Sequence, residues 1–115
     1  MKAILLIIGI LFIHSYVRAQ ADAQTIKDIA AVAHSKNIKI CDAPVSGGQA
    51  GAENGQLSIM CGGDPADYAR AEPVMAAYAR ICRLIGESGA GQLAKMMNQI
   101  CIAGLMQGLS EALAF

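Results

Sequence analysis

The amino-acid sequence predicts an α/β fold, and three observations carry that prediction. Short β-branched runs alternate with stretches of 3.6-residue apolar period, and glycine, proline or asparagine punctuates the joins. Apolar residues make up 55% of the chain against 16% charged, which excludes a disordered chain and asks for elements covered on more than one side. At 115 residues the chain fits one domain. Its nine basic and nine acidic residues cancel, leaving no electrostatic footprint for nucleic acid, and with 4% aromatics and no Trp there is no base-stacking platform.

The elements follow in order. Met1-Lys2, the apolar stretch Ala3 to Ile13 and the small-x-small triplet Ala19-Gln20-Ala21 have the three-part order of a secretory signal peptide. That stretch is shorter than the roughly 18 apolar residues of a membrane span. Ile10 to Val17 reads equally as a buried β-strand, so both readings stand. Gln24 to Ser35 places Ile26, Ile29, Ala30 and Ala33 on one face of a surface helix, which Asn37 can end in a left-handed conformation. Ile38 to Cys41 reads as a short strand, Asp42 to Gly55 as a glycine-rich loop, and Gln56 to Met60 as a second strand closed by Gly62-Gly63. Asp64-Pro65 is a cap followed by a first-turn proline, opening a helix with Tyr68, Ala71, Met75 and Tyr78 at helical spacing. Ile81 to Ile85 fits a third strand.

Beyond Gly86 to Gly91 the segment Gln92 to Phe115 contains no proline and is apolar almost all round, the pattern of a helix buried between domains or subunits. The four cysteines, Cys41, Cys61, Cys82 and Cys101, are about twenty residues apart with no CxxC pair or other zinc-site spacing. Each sits in an apolar context that suits a reduced, buried thiol, and no metal is expected.

Chemistry concentrates in two places. The run Asp42-Ala-Pro-Val-Ser-Gly-Gly offers, at Ser46, Gly47 and Gly48, a hydroxyl and a backbone approach that side chains would block. Glycines also simply mark turns. Lys95 lies about one turn inside the last helix, with Asn98 and Gln99 three and four residues on, so all three project from neighbouring points. A lysine in an apolar helix either snorkels to solvent or is held for proton transfer. The helix N-terminus before it offers amides and a positive dipole end to a carboxylate.

Asp42 to Gly63 resembles, position by position, the substrate-binding signature of the 3-hydroxyacid dehydrogenases, the group of 3-hydroxyisobutyrate dehydrogenase and tartronate semialdehyde reductase, related to 6-phosphogluconate dehydrogenase. The match is D-A-P-V-S-G-G-x-x-G-A-x-x-G-x-L-x-x-M-x-G-G. Gly86-x-x-Gly-x-Gly91 followed by Lys95 and Asn98 matches the second signature. The resemblance implies an NAD or NADP cofactor and a small hydroxy acid or semialdehyde as substrate. Lys95 would be the general acid/base; Ser46, Gly47 and Gly48 would bind substrate and Asn98 would orient it. Many members carry Asn one position after Asn98, where this chain has the longer Gln99.

The resemblance covers about residues 22 to 115. No G-x-G-x-x-G precedes Gln24, so the chain resembles the C-terminal part of a Rossmann-like NAD(P)-binding domain followed by the start of a long interdomain helix. The expected organisation is an apolar segment over 1–21, a partial nucleotide-binding domain over 22–90, and that helix over 91–115. A fragment of this kind is expected to be inactive alone; its full-length relatives would be homo-oligomers. Relatives of this type work in the cytoplasm or mitochondrial matrix, so a cytoplasmic location is expected. The alternative is an exported or membrane-anchored small-acid binding module, with residues 1–21 as its signal.

Overall fold

The structure is a computed structural model that describes residues 22–115, so the strand or signal reading of residues 1–21 lies outside the described residues. The described chain divides into two units, residues 22–95 and Met96–Phe115.

In the first unit, helix α1 (Ala23–Ser35) starts where the Asp22 carboxylate accepts from Thr25 N at 2.7 Å. That hydrogen bond holds the Asp22 carboxyl below the usual carboxylate range. Ala30 and Ala33 are its buried residues, whereas Ile29, expected on the same covered face, is 47% exposed. Small side chains let the helix approach closely, and the longer Ile29 falls outside the contact. Asn37 ends the turn at φ 57°, with Ile38 N returning to Ala33 O at 2.9 Å, as the left-handed reading expects.

The sheet contains β1 (Cys41–Asp42), β2 (Val45–Ser46), β3 (Leu57–Gly63) and β4 (Ala79–Gly86). β1 and β2 are one interrupted strand. Cys41 faces Gly63, Asp42 faces Gly62, Val45 faces Ile59 and Ser46 faces Ser58, all antiparallel and in a single register. Between them Met60 N donates to Pro44 O at 3.0 Å. Pro44 has no N–H to return the second bond, so the ladder breaks there while the strand continues. β3 is therefore central, with β4 running parallel along its other edge.

Three boundaries differ from the sequence reading. Ile38 to Ile40 form no strand, because β3 ends opposite Cys41 and no strand among the described residues lies beyond it to pair with. β3 runs on through Gly62 and Gly63 rather than closing at them. Within the expected loop, α2 (Gly48–Glu53) forms one short helix.

Helix α3 (Pro65–Ala76) is capped by Asp64, whose carboxylate accepts from Ala66 N at 2.8 Å, and it runs through Pro73. Met75 from this helix joins Leu57, Ile59 and Cys61 of β3 and Cys82 of β4 in the core, with Tyr68 and Ala71 packed against it. Tyr78, expected on the same face, lies past the helix end and is exposed. The chain has already turned there, through Tyr78 N to Met75 O at 3.2 Å. All four cysteines are free: Cys61 and Cys82 are buried, but Cys41 is half-buried and Cys101 exposed, so the expectation of four buried thiols holds for two.

Helix α4 (Ala90–Ala114) begins in the first unit. In the second unit Met97, Leu105 and Leu113 are mostly exposed. None of the described helices is long and apolar enough to cross a membrane.

Candidate functional site

Alternation along the interrupted strand sorts its side chains. Cys41 and Ala43 line a cavity of about 350 Å³ with Asp67, Ala71 and Met75 of α3, so odd positions face that helix. With one register from Cys41 to Ser46, the even positions Asp42, Pro44 and Ser46 face the opposite side of the sheet.

On that side lies the start of α4. The buried Asp42 carboxylate accepts from Gly89 N at 2.7 Å through Oδ1 and from Gln92 N at 3.0 Å through Oδ2. Two glycines make this approach possible. A Cβ on Gly62 would stand 2.5 Å from Asp42 Oδ1 and 2.8 Å from Glu87 O, and one on Gly91 would collide with the Met60 carbonyl oxygen. Asp42 opens the glycine-rich signature, yet sequence reasoning assigned it no role. The available signal was an acid preceding a strand of motif residues, with an uncapped glycine turn and helix following about fifty residues later.

The structure corrects one expectation here. The amides of Gly89, Ala90 and Gln92 at the start of α4 do not await a substrate carboxylate, because Asp42 takes those of Gly89 and Gln92 and Glu87 O accepts from Ala90 N at 2.9 Å.

The expected site residues of the first unit are placed as follows. Ser46 ends β2 and is half-buried. Gly47 (φ 134°) and Gly48 (φ 61°) follow it, both exposed and both in the region that L side chains avoid, turning the chain into α2. No atom lies within 4 Å of where a Gly48 Cβ would stand, so its glycine serves backbone conformation, not close packing. Lys95 lies three residues beyond Gln92 and is half-buried. Ser46 and the first turn of α4 are thus brought to one side of the sheet. Asn98 and Gln99 belong to the second unit, where Asn98 Nδ2 donates to Gln99 Oε1 at 3.3 Å and Gln99 is buried.

The turn from β4 through Gly89-Ala-Gly91-Gln-Leu-Ala94 into α4 has the outline of a dinucleotide-binding strand, turn and helix. It does not fit a pyrophosphate. Its Gly89 and Gln92 amides are bound to Asp42, and Gly91 is pressed against the Met60 carbonyl instead of facing open space. β2 also leads through glycines, Gly47 and Gly48, into a helix, but α2 is only six residues long. A second buried feature nearby is Gln92 Oε1, an acceptor with no partner among the described residues.

Comparison with known proteins agrees with the motifs. The family described as the NAD binding domain of 6-phosphogluconate dehydrogenase matches residues 16–86. An uncharacterized oxidoreductase of Shewanella frigidimarina is 57% identical over 95 residues, covering 83% of this chain and 33% of that protein. The 3-hydroxyisobutyrate dehydrogenase of Pseudomonas aeruginosa is 43% identical over 91 residues, covering 79% of this chain and 30% of its own length. A solved structure of the Mycobacterium tuberculosis 3-hydroxyisobutyrate dehydrogenase with L-serine superimposes with a TM-score of 0.76 at 36% identity, over 79% of this chain and 31% of that one. The chain therefore spans about a third of the length of these relatives.

Proposed function

This chain belongs to the family of the NAD-binding domain of 6-phosphogluconate dehydrogenase, and from that premise we propose that it carries the substrate side of an NAD(P)-dependent oxidoreductase acting on the CH–OH group of small 3-hydroxy acids. The substrates would be of the 3-hydroxyisobutyrate or 2-hydroxy-3-oxopropionate type. The observation that carries this reading is the Asp42 bridge, which brings the start of the Lys95 helix to the side of the sheet that Ser46 faces.

In this proposal the Ser46 hydroxyl and the exposed backbone at Gly47 and Gly48 hold the substrate carboxylate. Lys95 exchanges a proton with the hydroxyl oxygen at the 3-position. A lysine suits that exchange because its ammonium both binds the oxygen and gives up or regains one proton as the C–O bond order changes. The turn into α4 offers no open pyrophosphate cradle, so no step through the nicotinamide is assigned to it, and turnover by this chain alone is not expected.

Titration of the ¹⁵N-labelled chain with 3-hydroxyisobutyrate tests the reading. The Gly47 and Gly48 amides are expected to shift, and Lys95→Met should weaken binding about tenfold, the value of one charge-assisted hydrogen bond. A loop that stays unshifted at saturating hydroxy acid would overturn the assignment. Micromolar binding of NADH or NADPH by the isolated chain would overturn the claim that the nucleotide cradle is lacking.

A further inference from the structure

A carboxylate buried to 6% exposure is costly unless its oxygens are satisfied. Asp42 satisfies them with backbone amides 47 and 50 residues away in the chain, joining the strand of Ser46 to the helix of Lys95. One hydrogen bond would fix a distance. Two, from separate oxygens to Gly89 and Gln92, also fix the rotation of the helix about its axis, and hence the direction in which Lys95 projects.

The sensitivity follows from helix dimensions. Side-chain tips lie about 5–6 Å from the axis, so a rotation of roughly 10° moves a tip by about 1 Å. A misplacement of that size costs on the order of a hundredfold in a reacting geometry. Gly62 and Gly91 leave the first turn in direct contact with the sheet, with no side chain between to absorb an error. Among the described residues no hydrogen bond tethers Ser46 to α4, and the chain after it enters α2.

We propose that Asp42 is the positioning residue of the site, setting the separation and angle between the Ser46 loop and Lys95. The inference rests on the reading of those two as the carboxylate and hydroxyl ends of a hydroxy-acid site. Asp42 touches neither substrate nor reacting atoms; it acts through α4.

The test compares two ligands, 3-hydroxyisobutyrate and isobutyrate, which differ by the hydroxyl assigned to Lys95. Asp42→Asn keeps one acceptor oxygen and turns an NH₂ against the other amide. Gln92→Pro removes one donor from the helix side while leaving the Asp42 charge in place, proline being tolerated in a first helical turn. The wild-type chain is expected to prefer 3-hydroxyisobutyrate about tenfold. Both variants, folded by far-UV circular dichroism and amide dispersion, should bind the two ligands alike, at the isobutyrate affinity.

Variants that keep the tenfold preference would overturn the positioning role, and so would variants that weaken both ligands together. Failure of both to fold would make Asp42 a residue of structure and overturn it as well. A wild-type chain indifferent to the hydroxyl would instead overturn the reading of Lys95 on which the inference rests.

Discussion

Two glycines of α4 should respond in opposite senses to the same substitution. At Gly91 an added methyl would collide with Met60 O and stand 2.7 Å from Asp42 Oδ2 and 3.1 Å from Gly62 N. Two of these neighbours are backbone and the third is fixed by its own hydrogen bonds, so the helix must withdraw. Moving the methyl out to an ordinary contact from Asp42 lengthens the 3.0 Å bond from Gln92 N past useful range. Overpacking costs about 1–3 kcal/mol, the weakened charge-assisted bond about 1.5–3 kcal/mol, and alanine's better helix propensity returns about 1 kcal/mol. Gly91→Ala is therefore expected to destabilise by roughly 1.5–5 kcal/mol. At Gly104 nothing lies within 4 Å of the new methyl, so Gly104→Ala keeps only the propensity gain of about 0.5–1 kcal/mol. Urea unfolding followed at 222 nm reads both. With a slope of about 1.5 kcal/mol per molar, a loss of about 3 kcal/mol moves the midpoint down by about 2 M. A Gly91→Ala midpoint equal to wild type would refute the close-contact reasoning.

Other expectations follow from the same structure. Burial pushes the Cys61 thiol up from 9.0 to about 12, so Cys61 should resist iodoacetamide at pH 8 in the folded chain while exposed Cys101 reacts; mass-spectrometric mapping decides, and rapid labelling of Cys61 would contradict its burial. Because that folded value lies above the unfolded one, its contribution is complete below about pH 9 and is lost as pH rises toward 12; denaturant midpoints rising over that interval would count against it. Asp64→Ala removes the α3 cap and should cost about 1 kcal/mol in urea unfolding; an unchanged midpoint would show that the cap adds nothing. In the second unit Ile102, Leu105, Met106, Leu109 and Leu113 fall at i, i+3, i+4, i+7 and i+11 and are all exposed, so the chain should self-associate near 100 µM, an equilibrium of about −5.5 kcal/mol. Leu105→Glu with Leu109→Glu should leave a monomer in sedimentation equilibrium; a wild-type monomer at that concentration would refute it.

The fold class was legible because the local signals are strong: Asp64-Pro65 caps a helix, Asn37 turns left-handed, and Ile81 to Ile85 lies within β4. Strand limits were less legible because they depend on partners. Ile38 to Ile40 have strand composition but no pairing strand among the described residues, while Gly62 and Gly63 have poor strand propensity and are paired all the same. Ser46, Gly47, Gly48 and Lys95 could be named from motif spacing. Their relation in space could not, because it is carried by Asp42 through contacts 47 and 50 residues distant, and no local pattern encodes a long-range amide bond.

The same contacts separate two meanings of a glycine-rich turn before a helix. In a nucleotide site the glycines clear space for a phosphate, and the amides stay open to it. Here the space beside Gly91 is filled by the sheet and the amides of Gly89 and Gln92 by an internal carboxylate. Gly48, with a left-handed φ and open space beyond it, is the contrasting case, its backbone exposed to solvent at the start of α2, two residues after Ser46. In the proposed function the substrate carboxylate is therefore assigned to the Ser46 loop rather than to the end of α4, where Asp42 already takes the Gly89 and Gln92 amides.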